Sequence, residues 1–296
     1  MNNYDDIFNP STPQFEDKPF DKNAWSEQKQ AERQEVYSLA DATVESISQN
    51  GENFQGYLDV QAKFDRYSVT NVLLITAQMP QATQLRDFDS WRENDVSIKR
   101  QEKGIRILEP GNEYTREDGS VGVSYNIKKV FDISQTTTRI KVQPTVNRDD
   151  RLLLKALINR APAPIQPVDE VPNQAGAYYD HNQQIILVQR GMDAQDIFRN
   201  VSKELAHAEM AVGRDDYSRE NTGFNAYCAS YLLCKKNGID VRGYDFRGLP
   251  DTIREADPQK VRAELTEIKE TVDTISTKMA KVLEQNKAPR QKEQER

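Results

Sequence analysis

Between Val261 and Val282 the apolar residues Val261, Leu265, Ile268, Val272, Ile275, Met279 and Val282 recur at spacings of 4, 3, 4, 3, 4 and 3. A strand would turn every second side chain to the opposite face, so this run reads as a helix with one continuous apolar stripe. A helix of about three heptads is marginal alone and needs a partner surface. Two partners are open: the rest of the chain, or a second copy in a coiled coil. The short length and weak flanking charge pairs favour packing within the chain, with a homodimer through this helix as the other expectation.

Hydrophobic residues make up 36% of the 296, below the ~45–50% usual for globular chains. Part of the chain is therefore tail or solvated helix. Residues 1–23 carry three prolines and a net charge of −3 without periodicity, which reads as a disordered acidic tail. Residues 287–296 read as a charged, frayed end. The length between leaves room for two domains.

Helical spacing at Val36, Leu39, Ala40, Val44 and Ile47 stops at Gly51, and Phe54 to Phe64 and Val72 to Ile75 suggest two further helices. Beyond Trp91 the texture changes. Val96 and Ile98, Gly104 to Leu108, the turn Glu117-Asp118-Gly119-Ser120 and the alternating Val121, Val123, Tyr125, Ile127 predict a small antiparallel sheet. A short helix over 149–160 and a proline-rich connector over 161–167 follow, and the domain boundary is placed between Gln135 and Pro167. The second half predicts a hairpin around Asp180-His181-Asn182, a helix over 193–212 and another over 223–237 ended by Gly238. The fold class is α+β, with domains at 24–150 and 168–250 and the heptad helix at 257–286.

No run of about 18 apolar residues occurs, and the N-terminus has no signal-like h-region. The expected compartment is the cytoplasm, with no membrane partner. Cys228 and Cys234 lie six apart in a helical pattern and read as reduced core thiols.

The stretch Lys203-Glu204-Leu205-Ala206-His207 has the spacing of a zinc-peptidase helix, in which histidines at i and i+4 bind the metal and the glutamate activates its water. Here Lys203 stands in the first histidine position, and a protonated amine repels a divalent cation. His181 is the only other histidine and sits in a turn. The following helix, Phe224 to Tyr231, contains no carboxylate, although Glu220 lies just before it. Lys203, Glu204 and His207 thus read as a degenerate site with no catalytic residue, no metal and no cofactor. A thiol–imidazole pair of Cys228 with His207 has little to recommend it.

The net charge of −7 argues against a uniformly basic coat. Segments differ, however. Residues 121–148 hold Lys128, Lys129, Arg139, Lys141 and Arg148 against Asp132 alone, a net of +4. Tyr67, Phe88, Trp91, Tyr125 and Phe131 interleave with the cations of residues 60–148. Aromatics beside Lys and Arg on a sheet suit single strands, whose bases stack while cations follow the phosphates. The same pattern also describes core aromatics with a solvated basic face.

The run Tyr67 to Thr83, with Asn71 and the Gln78-Met79-Pro80 step, then Trp91 and Glu102-Lys103-Gly104-Ile105 to Pro110, resembles the N-terminal domain of ArdC-type antirestriction proteins. Gly176 to Tyr179, Ile185 to Val188, Glu204 to Ala208 and the helix ending at Gly238-Ile239-Asp240 resemble the metallopeptidase-like domain of the same family. Asn225 and Tyr227 stand about where that family's helix carries glutamates. The resemblance implies a mobile-element protein that binds single-stranded DNA and protects incoming DNA from host restriction. The expected phosphate contacts are Arg66, Lys99, Arg100, Lys103, Arg106, Lys128 and Lys129, with Tyr67 and Trp91 as stacking residues. Two other classes stay open: a peptidase using His207, Glu204 and an acid such as Glu220 or Asp215, and an inhibitor that contacts a host restriction or defence protein directly.

Overall fold

The computed structural model describes residues 21–116, 118–138, 149–172 and 175–285. The acidic stretch 1–20, the cations Arg139, Lys141 and Arg148, and residues 286–296 lie outside the described residues. Three helices open the chain: α1 (Lys22–Gln49), α2 (Gly51–Lys63) and α3 (Val69–Gln78). Each begins at a side-chain cap. Asp21 accepts the backbone N–H groups of Asn23 and Ala24, Asn50 those of Glu52 and Asn53, and Ser68 that of Asn71. The Asp21 cap starts α1 inside the stretch that composition assigns to the tail.

β1 (Leu85–Asp87) leads into α4 (Phe88–Arg92), and β2 (Ile105–Thr115) and β3 (Val121–Asp132) form a long ribbon. The sheet runs β1-β3-β2, all antiparallel. Ile98 makes only an isolated bridge to Thr136, so the strand expected there is not formed. β1 takes its place, three residues with no apolar alternation to announce them. Buried Asp132 fastens that edge by accepting the backbone N–H groups of Thr83, Gln84 and Ser134. Burial pushes its pKa up, but these hydrogen bonds outweigh that and leave it below the ordinary value.

The second half holds α5 (Asp150–Leu157), β4 (Ile165–Val168), β5 (Ala177–Asp180), β6 (Ile185–Gln189), α6 (Ala194–Ala211), α7 (Arg219–Asn237), α8 (Asp251–Arg254) and α9 (Pro258–Gln285). β5 and β6 are the expected hairpin. β4 was hidden in the proline-rich connector: it pairs parallel to β6 at the edge of a β4-β6-β5 sheet, where Pro167 costs no central ladder bond. Gly238 ends α7 at φ +73°, a left-handed cap.

One hydrophobic core crosses the expected domain boundary. It joins Phe54, Leu58 and Val72 from the first helices to Tyr231, Leu232 and Phe246 and to the α9 stripe. Phe54 packs its ring 5.3 Å from Phe224 and 6.1 Å from Phe246. Tyr231 donates its hydroxyl to Asp59 at 2.6 Å, and Lys236 pairs with Asp65 at 3.0 Å. At Gly51 a Cβ would lie 1.8 Å from the Phe246 carbonyl oxygen, so the second half crosses the start of α2 too closely for any side chain. Apolar periodicity shows that a face is buried but not what it meets, which is why the halves read as separate.

α9 settles between α1, α3, α5, α6 and α7. Val261, Leu265, Ile268, Val272, Ile275 and Met279 are buried there, so the stripe is used within the chain. Among the described residues no helix is long and apolar enough to cross a membrane.

Candidate functional site

α6 packs along α7 and against β5. Its Asp193 N-cap fixes the helix start, and its inward face places Glu204 and His207 in the core. Glu204 is 0% exposed, and a carboxylate there needs compensation. Arg219, in the first turn of α7, supplies it: Nη1 donates to Oε2 at 2.7 Å and Nη2 to Oε1 at 2.9 Å. The Tyr179 backbone N–H adds a third bond at 2.8 Å, and Lys203 Nζ stands 3.6 Å from Oε1. The Arg219 guanidinium also lies 4.5 Å over the Tyr178 ring. Burial lowers its pKa, but the bonds to Glu204 more than reverse this and raise it.

His207 is 2% exposed. Its Nδ1 lies 3.1 Å from the Tyr217 hydroxyl and 3.2 Å from Thr222 Oγ1. Burial pushes its pKa down to about 4, against the pull of Glu204, so the ring is neutral at pH 7. His181 stacks 4.7 Å from Tyr217, whose other edge meets His207 at 6.3 Å. The two histidines thus share a tyrosine between them. Among the described residues no three His, Cys, Asp or Glu side chains are grouped to hold a metal ion. Asp215 and Glu220, the acids considered as ligands, are exposed.

Cys228 is fully buried and burial pushes its thiol pKa well up, so it is no nucleophile. Asn225 donates its amide to Glu264 at 2.6 Å and Glu267 at 2.7 Å on α9. Tyr227 accepts the Asp245 N–H at 2.7 Å.

The expected DNA contacts divide. Trp91 is 3% exposed and donates its indole N–H to the Phe131 carbonyl at 2.9 Å. It is a core residue, and its ring is closed to a base. Tyr67 is half-buried, with its ring 5.8 Å from Phe64. Arg106 is held by Glu35 at 2.8 and 3.0 Å, and Lys128 by Asp87 and Glu109, each at 2.9 Å. These pairs offset two of the sheet's cations. Lys99 donates to the Ser134 carbonyl at 2.7 Å. Arg100, Lys103 and Lys129 are exposed and form no salt bridge within the described residues, whereas Arg66 lies apart, in a groove with Lys236 and Lys269.

Sequence reasoning missed Arg219. No period links Arg219 to Glu204, and the only signal was an acid on an apolar helix face. Val121, Val123 and Tyr125 alternate as predicted, and all three are exposed on the outer end of the ribbon.

No family model and no curated protein matches this sequence. Among solved structures, the metal-free antirestriction ArdC protein from plasmid R388 aligns at 16% identity and TM-score 0.49, over 73% of this chain and 86% of that one. The Mn(II)-bound structure of the same protein aligns at 16% identity and TM-score 0.51, over 72% and 85%. The chain shares the fold of ArdC. The sequence resemblance to ArdC-type proteins therefore holds at the level of architecture, and the alignment takes in most of both chains.

Proposed function

We propose that this chain is an antirestriction protein that binds single-stranded DNA through the β2–β3 ribbon, and that its α6–α7 pair is a peptidase-like scaffold without hydrolytic activity. One observation carries the binding reading. Tyr125 is 41% exposed beside the exposed Val121 and Val123, and in an extended strand all three share one face with Lys129. Bases stack on such a platform while Lys129, farther along the same face of the strand, meets phosphates. The ArdC fold supports the antirestriction part.

The non-catalytic reading rests on the donor set. Arg219 occupies both oxygens of Glu204, and Lys203 brings an ammonium where a ligand would stand. A divalent cation at this place would face two cations and one committed carboxylate, so these residues do not fit one.

The test is a titration of single-stranded and duplex oligonucleotides of equal length at several salt concentrations. Single strands should bind tighter, with a log–log salt slope of ~0.7 per neutralised phosphate. A preference for duplex, or no binding at low salt, overturns the binding reading. Stoichiometric zinc in chelator-free protein overturns the non-catalytic one. A host defence protein captured after nuclease treatment would replace strand binding by direct contact.

A further inference from the structure

The clamp on Glu204 also borders a cleft of about 450 Å³, lined by Lys203, His207, Arg219, Phe224, Tyr227 and Pro250. Its chemistry is lopsided. Lys203 and His207, one helical turn apart on α6, and Arg219 on α7 supply polar nitrogen, while Phe224 and Tyr227 supply rings.

The nitrogens are not exhausted by their contacts. A guanidinium has five N–H donors. Arg219 directs three of them to Glu204 and to the Tyr179 carbonyl, the last at 3.5 Å. Nε and the second Nη2 hydrogen make no bond within the described residues, on a side chain 32% exposed. Every hydrogen bond of His207 is made at Nδ1, toward Tyr217 and Thr222. Neither of those lines the cleft, so Nε2 is the cleft-side nitrogen of a nearly fully buried ring. Glu204 offsets one cation, and Lys203 leaves the cleft with one positive charge in excess.

The aromatic wall is rigid. The Tyr227 ring lies 4.9 Å from Tyr244 and 5.3 Å from Phe246, and its hydroxyl is fixed by the Asp245 N–H. Rings and N–H donors lining one cleft suit a ligand that is planar at one end and anionic at the other.

We propose that this cleft binds a nucleotide phosphate, with Lys203 and Arg219 on the phosphate oxygens and the base against Tyr227 and Phe224. A free nucleotide and the phosphorylated end of a strand present the same chemistry, and a peptide carboxylate presents only half of it. The site is separate from the ribbon and does not depend on the strand-binding reading.

The experiment titrates the full chain by calorimetry with thymidine 5′-monophosphate, inorganic phosphate, and one oligonucleotide with a 5′-phosphate or a 5′-hydroxyl. The mononucleotide should bind saturably and tighter than inorganic phosphate. Lys203→Met, at a partly exposed position, should weaken it at least tenfold, and Tyr227→Phe should keep it. If the 5′-phosphorylated strand also loses affinity on Lys203→Met while its hydroxyl twin does not, the strand end is a ligand. If only the mononucleotide responds, the ligand is free nucleotide. Tyr125→Ala should leave mononucleotide binding unchanged, so failure of the ribbon and failure of the cleft are distinguishable. No saturable mononucleotide binding, binding indifferent to Lys203→Met, or a C-terminal peptide carboxylate bound tighter than the nucleotide would overturn the proposal.

Discussion

Arg219 covers both carboxylate oxygens of Glu204 at 2.7 and 2.9 Å from a neighbouring helix. Removing one partner of a buried pair leaves the other charge uncompensated, whereas removing both can be nearly neutral. Arg219→Met should destabilise the chain by about 3 kcal/mol. Adding Glu204→Gln, whose amide oxygen still accepts the Tyr179 N–H, should recover more than half of that loss. Urea denaturation of the two single variants and the double variant measures the coupling, and additive effects would show that the pair does not act as a unit.

His207 gives stability a pH dependence. Its folded pKa of about 4 lies below the ordinary 6.5, so between these values the unfolded chain binds the proton more readily. The contribution is full above pH 6.5, shrinks as pH falls and is gone below pH 4, a change on the order of 3 kcal/mol for this group. His207→Gln should flatten the stability profile between pH 6.5 and pH 4 relative to the parent chain, with denaturation midpoints as the readout.

Trp91 and Tyr125 should separate folding from binding. Trp91→Ala empties a core site and should cost about 3–5 kcal/mol of stability. Tyr125→Ala should barely affect the melting temperature but weaken single-strand affinity by roughly 1–3 kcal/mol if one base stacks there. A Tyr125→Ala variant with parental affinity would remove that residue from the interface.

The stripe of α9 makes a prediction about mass as well as stability. Leu265→Ala should cost about 2–5 kcal/mol, as for other buried leucines, and native mass spectrometry should give the same oligomeric state for variant and parent. A variant that loses only a dimer, with its fold intact, would return the seam to an intermolecular role.

Asp132 ties β1 to β3 through the N–H groups of Thr83 and Gln84. Asp132→Ala strands those donors and should cost about 2–3 kcal/mol. Hydrogen exchange at Thr83 and Gln84 should speed up more than exchange in α7, which localises the damage.

Much of this fold is written in local pattern. The alternation of Val121, Val123 and Tyr125, the stop at Gly238 and the stripe from Val261 to Val282 each follow from backbone geometry within a few residues, and each formed where it was read. What required tertiary structure was every pairing between distant residues. The sequence could name Lys203, Glu204 and His207 and see that the first was wrong for a metal, since ligand chemistry is a property of residue type. It could not reveal that Arg219 would seat on Glu204, that Glu35 and Glu109 would neutralise Arg106 and Lys128, or that Trp91 would turn inward. Nor could it show that Phe54 would enter the aromatic cluster around Phe246 and merge two expected domains into one core. Periodicity fixes which face of an element seeks burial, while the partner it finds depends on chain crossings that no local pattern records.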